Sequence, residues 1–148
     1  YIFVGLLFIC LLFVKLMYKD LKYCSMTLIT FIGSFTLQSS FKSLYQRPRI
    51  SPGLGVTTFM DYSFPSGFIS VITGLSGYII FLILRELKIK LRYIFIFLWL
   101  LFLGTVGFSR VYAGISYPSD VLAGLLLGGV WLSVCIVATK ALECYKEG

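Results

Sequence analysis

Three short segments hold the residue types that can handle a charged group: Lys42 with Arg47-Pro48-Arg49, then Tyr62-Ser63-Phe64-Pro65-Ser66-Gly67, then Ser109-Arg110 through Pro118-Ser119-Asp120. Arginine's planar fork meets phosphate oxygens two at a time, and lysine adds a compact charge. Pro65-Ser66-Gly67 reads as a helix start, where Pro suits the first turn, Ser can cap, and free N–H groups at the positive end of the dipole favour an anion. Each feature also has an ordinary role: a basic side chain at a helix end snorkels to lipid head groups, and a Pro-Ser-Gly triplet simply caps. Histidine is absent from the whole chain. Its absence removes imidazole acid–base chemistry, Ser-His-Asp triads and His-type zinc sites. Cys10, Cys24, Cys135 and Cys144 are scattered singly, so they read as free thiols, and the sequence implies neither a metal nor a cofactor.

The elements that must position these residues are apolar. With 59% hydrophobic and 13% charged residues and a mean hydropathy of +0.95, a soluble globular domain is excluded. Spans at Tyr1 to Tyr18, Cys24 to Phe41, Ser66 to Leu84, Tyr93 to Phe108 and Asp120 to Thr139 predict an all-α transmembrane bundle forming one domain over residues 1–148. In the second span Ser25, Thr27, Thr30, Ser34, Thr36, Gln38, Ser39 and Ser40 break the apolar run, which predicts that its polar side points into the protein. Gly124 and Gly128 form a small-xxx-small pair, read as close helix packing within the chain. Tyr1 stands inside an apolar run with no basic leader, so no signal peptide is read, and the pattern points to a start further upstream.

Thirteen Lys+Arg against six Asp+Glu give +7. No basic stripe on a soluble face offers a dock for nucleic acid, and topology explains the charge instead. Lys15, Lys19, Lys22, Arg85, Lys88, Lys90, Arg92, Lys140 and Lys146 flank one set of span ends and are expected in the cytoplasm. Lys42, Arg47, Arg49 and Arg110 then fall outside, in the loops Lys42 to Pro65 and Arg110 to Ser119, which share one face. Tyr62, Tyr112 and Tyr117 read as interfacial aromatics, and Asp61 has no assignment.

The order and placement of the three segments resemble the signature of the phosphatidic acid phosphatase type 2 and vanadium haloperoxidase superfamily: Lys then Arg-Pro, then Pro-Ser-Gly-His, then Ser-Arg with a His and an Asp downstream. The resemblance runs from about Lys42 to Asp120, and SRVYAGISYPSD is its most specific string. It implies a six-helix membrane core, of which this sequence would carry all but the first helix. It also implies a phosphate cradle with a His nucleophile, a His general acid and an Asp that orients the nucleophile. Arg47, Ser66, Gly67, Arg110 and Asp120 match residue by residue. The family Lys lies seven residues before the Arg, at Ser40 here, whereas Lys42 lies five before it. The acid position is Phe68 and the nucleophile position Ser116. Phe transfers no proton, and a serine hydroxyl needs a base that only Asp120 or Lys42 could supply. By analogy with other hydrolases, losing such a nucleophile lowers turnover on the order of 10⁶-fold.

These residues leave three readings. The first is a catalytically inactive member that holds a lipid phosphate or pyrophosphate at the extracytoplasmic face of the cell membrane as a binding, regulatory or scaffold protein, with any protein partner unidentified. The second is a working phosphatase on an undecaprenyl, phosphatidate or phosphatidylglycerol phosphate that uses unfamiliar groups. The third is a structural or transport-associated membrane protein. For the orientation, a thiol placed at Ser51 should react with a membrane-impermeant reagent in intact cells and one at Lys88 only after permeabilisation. The reverse pattern would invert the topology.

Overall fold

Each apolar stretch folds as one helix, and α2 to α5, though not α1, run past their apolar spans because polar residues at the membrane boundary continue them. The computed structural model describes residues 2–18, 20–48 and 62–147. Five helices follow one another: α1 Ile2–Tyr18, α2 Leu21–Tyr45, α3 Gly67–Glu86, α4 Ile89–Tyr112 and α5 Pro118–Glu147. The helices α3, α4 and α5 are long and apolar enough to cross a membrane unaided. The 17 residues of α1 make a shorter apolar helix, and α2 extends over 25 residues beside its neighbours. This is an all-α membrane bundle. Ser51, Asp61 and Arg49, in the loop between α2 and α3, lie outside the described residues.

The chain alternates direction, so one end of the bundle gathers the C-termini of α2 and α4 with the N-termini of α3 and α5. At the other end Asp20 caps α2, its carboxylate accepting from the Lys22 N–H at 3.2 Å. The described basic residues Lys15, Lys22, Arg85, Lys88, Lys90, Arg92 and Lys140 belong to that second end. A left-handed Gly114 (φ 66°) reverses the chain after α4, which a residue with a Cβ does poorly. The Arg110 carbonyl then accepts from the N–H groups of Ile115 (3.1 Å) and Ser116 (3.3 Å), folding the turn back beneath α4.

At the centre is α3, which packs against all four other helices. Its core partners are Val14 of α1, Tyr23 of α2, and Leu132 and Cys135 of α5, around Tyr78 and Leu82. By contrast, α4 buries only Leu103 and Gly107, packs Trp99 against the core with its Nε1 donating to Ser76 Oγ at 2.9 Å, and presents most of its remaining apolar surface outward, toward lipid. On α2 the buried residues Tyr23, Thr27, Thr30, Ser34 and Gln38 form one stripe at helical spacing. The inward polarity expected for this helix holds for those residues but not for Ser25, Thr36 and Ser40, which are exposed. Their hydroxyls donate to the carbonyls of Leu21, Ile32 and Thr36, and a hydroxyl so satisfied can face lipid.

Gly124 and Gly128 lie against α3, as the small-xxx-small spacing predicts. A Cβ at Gly128 would stand 2.5 Å from the Ser70 carbonyl oxygen and 2.8 Å from the Thr73 Cβ, and one at Gly124 would stand 2.7 Å from the Ser66 oxygen. No heavy atom would lie within 4 Å of a Cβ at the adjacent Gly129. Gly128→Ala should therefore lower stability by about 1–3 kcal/mol through overpacking, with Gly129→Ala close to neutral. Thermal unfolding of both variants in detergent measures the contrast, and equal effects would remove the packing role.

Candidate functional site

Where the four helix ends meet, a cavity of about 600 Å³ opens. Its polar lining includes Lys42, Ser66, Gly67, Arg110 and Ser116, and its apolar wall is Phe3, Phe35 and Phe68. Lys42 enters because α2 continues to Tyr45, which puts residue 42 one turn beyond the buried Gln38 on the same helix face. Ser40, at the position where the family Lys is expected, sits about 200° of helix rotation from Gln38 and is exposed, its hydroxyl held by the Thr36 carbonyl. The five-residue spacing thus delivers a lysine that the seven-residue spacing would point away.

Ser66 occupies the N-cap of α3 with an extended backbone, and Pro65 precedes the helix rather than forming its first turn. Contrary to the expected cap, the Ser66 hydroxyl makes no capping bond. It is 2% exposed and has no hydrogen-bond partner among the described residues, as is also true of Gln38 Oε1 in the same cavity. The first-turn amides of α3 have no intrahelical acceptor by construction, so this end carries partial positive charge next to Lys42 and Arg110. Phe68, on that first turn, places its ring 4.9 Å from the Arg110 guanidinium carbon and 6.0 Å from the ring of Phe3. A cation–π contact therefore stands where an acid would donate a proton.

Arg47 and Asp120 form a separate unit beside the cavity. Asp120 is fully buried, and an unpaired carboxylate there would be very costly, so Arg47 turns toward it: Nη1 donates to Asp120 Oδ1 at 2.9 Å and to Ser119 Oγ at 2.9 Å. The guanidinium stacks 3.9 Å above the Tyr117 ring, so Tyr117 is a platform for Arg47 rather than a plain interfacial aromatic. The other carboxylate oxygen of Asp120 accepts from the Tyr117 N–H at 3.0 Å, the reciprocal half of a capping box at the start of α5. Asp120 thus pairs with Arg47, and Arg47, expected in the phosphate cradle, does not line the cavity that holds Lys42, Ser66, Gly67, Arg110 and Ser116. Tyr62 lines the cavity, while Tyr112 is 85% exposed at the end of α4.

Ser116 is 3% exposed and reaches the cavity through the turn that closes on Arg110. Both carboxylate oxygens of Asp120 are engaged by Arg47 and Tyr117, which leaves that group poorly placed to draw a proton from Ser116. The arrangement can hold an anion between two cations, a helix N-terminus and buried hydroxyls. Sequence reasoning missed Gln38 and Gln46 in the lining, and of these only Gln38 left a signal, on the stripe that leads to Lys42.

Against known proteins, the model of the PAP2 superfamily, the phosphatidic acid phosphatase type 2 group, matches residues 21–143. Among curated relatives, the chain is 37% identical over 93 residues to an undecaprenyl-diphosphatase of Sulfolobus acidocaldarius, covering 59% of this chain and 38% of that protein. It is 38% identical over 69 residues to the bacitracin transport permease protein BcrC of Bacillus licheniformis, 47% of this chain and 30% of that one. A lipid phosphate phosphatase delta of Arabidopsis thaliana is 32% identical over 82 residues, 51% of this chain and 20% of that one. Each match spans well under half of the relative's length, and no solved structure matches. The family model runs from the start of α2 into the last turns of α5 and so takes in the ends of α2, α3, α4 and α5 that meet at the cavity: the chain belongs to the PAP2 superfamily.

Proposed function

We propose that this protein is a non-catalytic receptor for a lipid phosphate or pyrophosphate, taken from the extracytoplasmic face of the membrane. The observation that carries this reading is the convergence of Lys42, Arg110 and the Ser66-Gly67 helix start on one cavity that contains no imidazole. Its volume of about 600 Å³ lies within the range of small-molecule sites. The Phe3, Phe35 and Phe68 rings suit the first carbons of a lipid chain, and Lys42 and Arg110 suit the phosphate oxygens. The names of two relatives, a lipid phosphate phosphatase and an undecaprenyl-diphosphatase, support the ligand class. The orientation rests on the charge bias between the two bundle ends.

Catalysis needs a nucleophile with a base and an acid for the leaving group. At those positions Ser116 has no engaged base among the described residues and Phe68 has no proton to give. A second reading, in which Lys42 deprotonates Ser116, has one favourable observation, since both line the same cavity. Wild-type turnover on lipid phosphates that disappears in Ser116→Ala would establish that reading in place of the first.

Binding is measured most directly with vanadate, a phosphate analogue, by titration of the purified protein. With charge-assisted hydrogen bonds contributing about 1.5–3 kcal/mol each, Arg110→Ala should weaken binding about tenfold or more. Affinity unchanged by that substitution would favour a purely structural protein.

The catalytic deficit has its own test. Phe68→His combined with Ser116→His should raise phosphate release from a lipid phosphate well above the wild-type background, and either change alone should raise it far less, because the two groups act as a unit. The imidazole introduced at residue 116 has to compete with Arg47 for Asp120, so activity should stay below that of an ordinary family member. A double variant that binds vanadate yet releases no phosphate would mean that the cradle has drifted past the ~0.5 Å tolerance of a catalytic constellation.

A further inference from the structure

At the bundle end away from the described site, a second cavity of about 410 Å³ opens where the end of α3, the start of α4 and the end of α5 meet. Phe81, Leu84 and Ile96 form its apolar wall, and Arg85, Arg92 and Lys140 stand around it with one carboxylate, Glu143. That carboxylate is already satisfied: Arg85 Nη1 pairs with it, and the Tyr23 hydroxyl donates to it at 2.9 Å. Arg92 donates its Nε to the Leu87 carbonyl at 2.9 Å, and neither Arg92 nor Lys140 forms an ion pair among the described residues. The groove thus carries two cations that form no ion pair among the described residues, with its one carboxylate taken by Arg85 and Tyr23. The adjoining face of α4 exposes Tyr93, Phe97 and Leu101, so the groove is continuous with a lipid-facing surface.

A ligand that fits must bring an anion to the rim and hydrocarbon to the wall together. A soluble anion leaves the apolar wall wet, and a zwitterionic lipid sets its own ammonium group against Arg92 and Lys140. Basic pockets between helices at such a boundary are known to suit anionic head groups. We propose that this groove binds an anionic phospholipid, with the phosphate and its net charge at Arg92 and Lys140 and the first acyl carbons against Phe81, Leu84 and Ile96. The site is distinct from the lipid-phosphate cavity, because the stretch of α3 from Gly67 to Arg85 puts ~27 Å between them at 1.5 Å per residue.

The test uses the purified full chain in nanodiscs of mixed phosphatidylglycerol and phosphatidylcholine, with retained lipid counted by native mass spectrometry. Phosphatidylglycerol should be retained on the order of tenfold over phosphatidylcholine, and Arg92→Gln with Lys140→Gln should bring that ratio close to one. Lys15→Gln with Lys90→Gln, which removes equal charge from the same end of the bundle, should leave the ratio unchanged. Ile96→Trp fills the groove without altering charge and should lower phosphatidylglycerol retention, which keeps the proposal testable should the double charge variant misfold. No preference in the wild type, or equal losses in both charge pairs, would overturn the proposal. Displacement of the lipid by inorganic phosphate would also overturn it, in favour of a soluble anion.

Discussion

The buried carboxylate of Asp120 is the constraint from which the geometry of one bundle end follows. Its side chain joins Arg47, just past the end of α2, to the first turn of α5, and its main-chain oxygen accepts the Ser66 N–H at 2.9 Å at the start of α3. Three chain segments far apart in sequence are thereby fixed to one residue. The Arg47 carbonyl extends the clamp by accepting from the Ser63 N–H at 2.8 Å, which sets the approach to α3. A charge so deeply buried tolerates no loss of its partner, because removing one member of such a pair typically costs about 3–5 kcal/mol. The glycine-mediated contact of α5 with α3 continues from this point, with Gly124 opposite Ser66 and Gly128 opposite Ser70.

That constraint also explains the shape of the cavity. Arg47 directs Nη1 to Asp120 and Ser119 and stacks on the Tyr117 ring, and the cationic lining of the cavity is supplied by Lys42 and Arg110. An aspartate already held by Arg47 and the Tyr117 N–H offers a nucleophile a contested acceptor. The two missing imidazoles and the Arg47–Asp120 pair are therefore mutually consistent: with no histidine at 116, the carboxylate needs another partner, and Arg47 is the cation within reach.

Much of the fold was legible because it depends on local periodicity. The five apolar spans give five helices, and the stripe Thr27, Thr30, Ser34, Gln38 announces the buried side of α2. The placement of Ser66, Gly67, Arg110 and Ser116 around one cavity follows from their positions at helix ends that alternate in direction. Pairings over long sequence distance were not legible. Nothing in the string tells Arg47 to choose Asp120, 73 residues away, or tells Arg85 to choose Glu143, 58 residues away, because such choices depend on which helices become neighbours. The reach of Lys42 was equally hidden, since it depends on α2 continuing past its apolar span. Phe3 and Phe35 look like lipid-facing aromatics until the packing of α1 and α2 brings them to the cavity.

Polar atoms inside a membrane bundle carry a standing cost, and its distribution bears on what the cavity is for. Along the seams of α2 and α3, the hydroxyls of Thr27 and Thr30 are satisfied by carbonyls of their own helix, whereas those of Ser34, Ser70 and Thr73 have no partner among the described residues. At the cavity, Ser66 Oγ and Gln38 Oε1 are buried with no partner among the described residues, at a cost of about 1–3 kcal/mol for each group left unpaired. Apolar side chains of similar size would fill this space without that cost. A phosphate group could accept from the Ser66 hydroxyl while meeting Lys42 and Arg110, and a protonated phosphate oxygen or a bridging water could donate to Gln38 Oε1. Of the buried polar atoms without a partner among the described residues, Ser66 Oγ and Gln38 Oε1 belong to residues that line the cavity, within reach of a lipid phosphate held there, and this supports the binding reading.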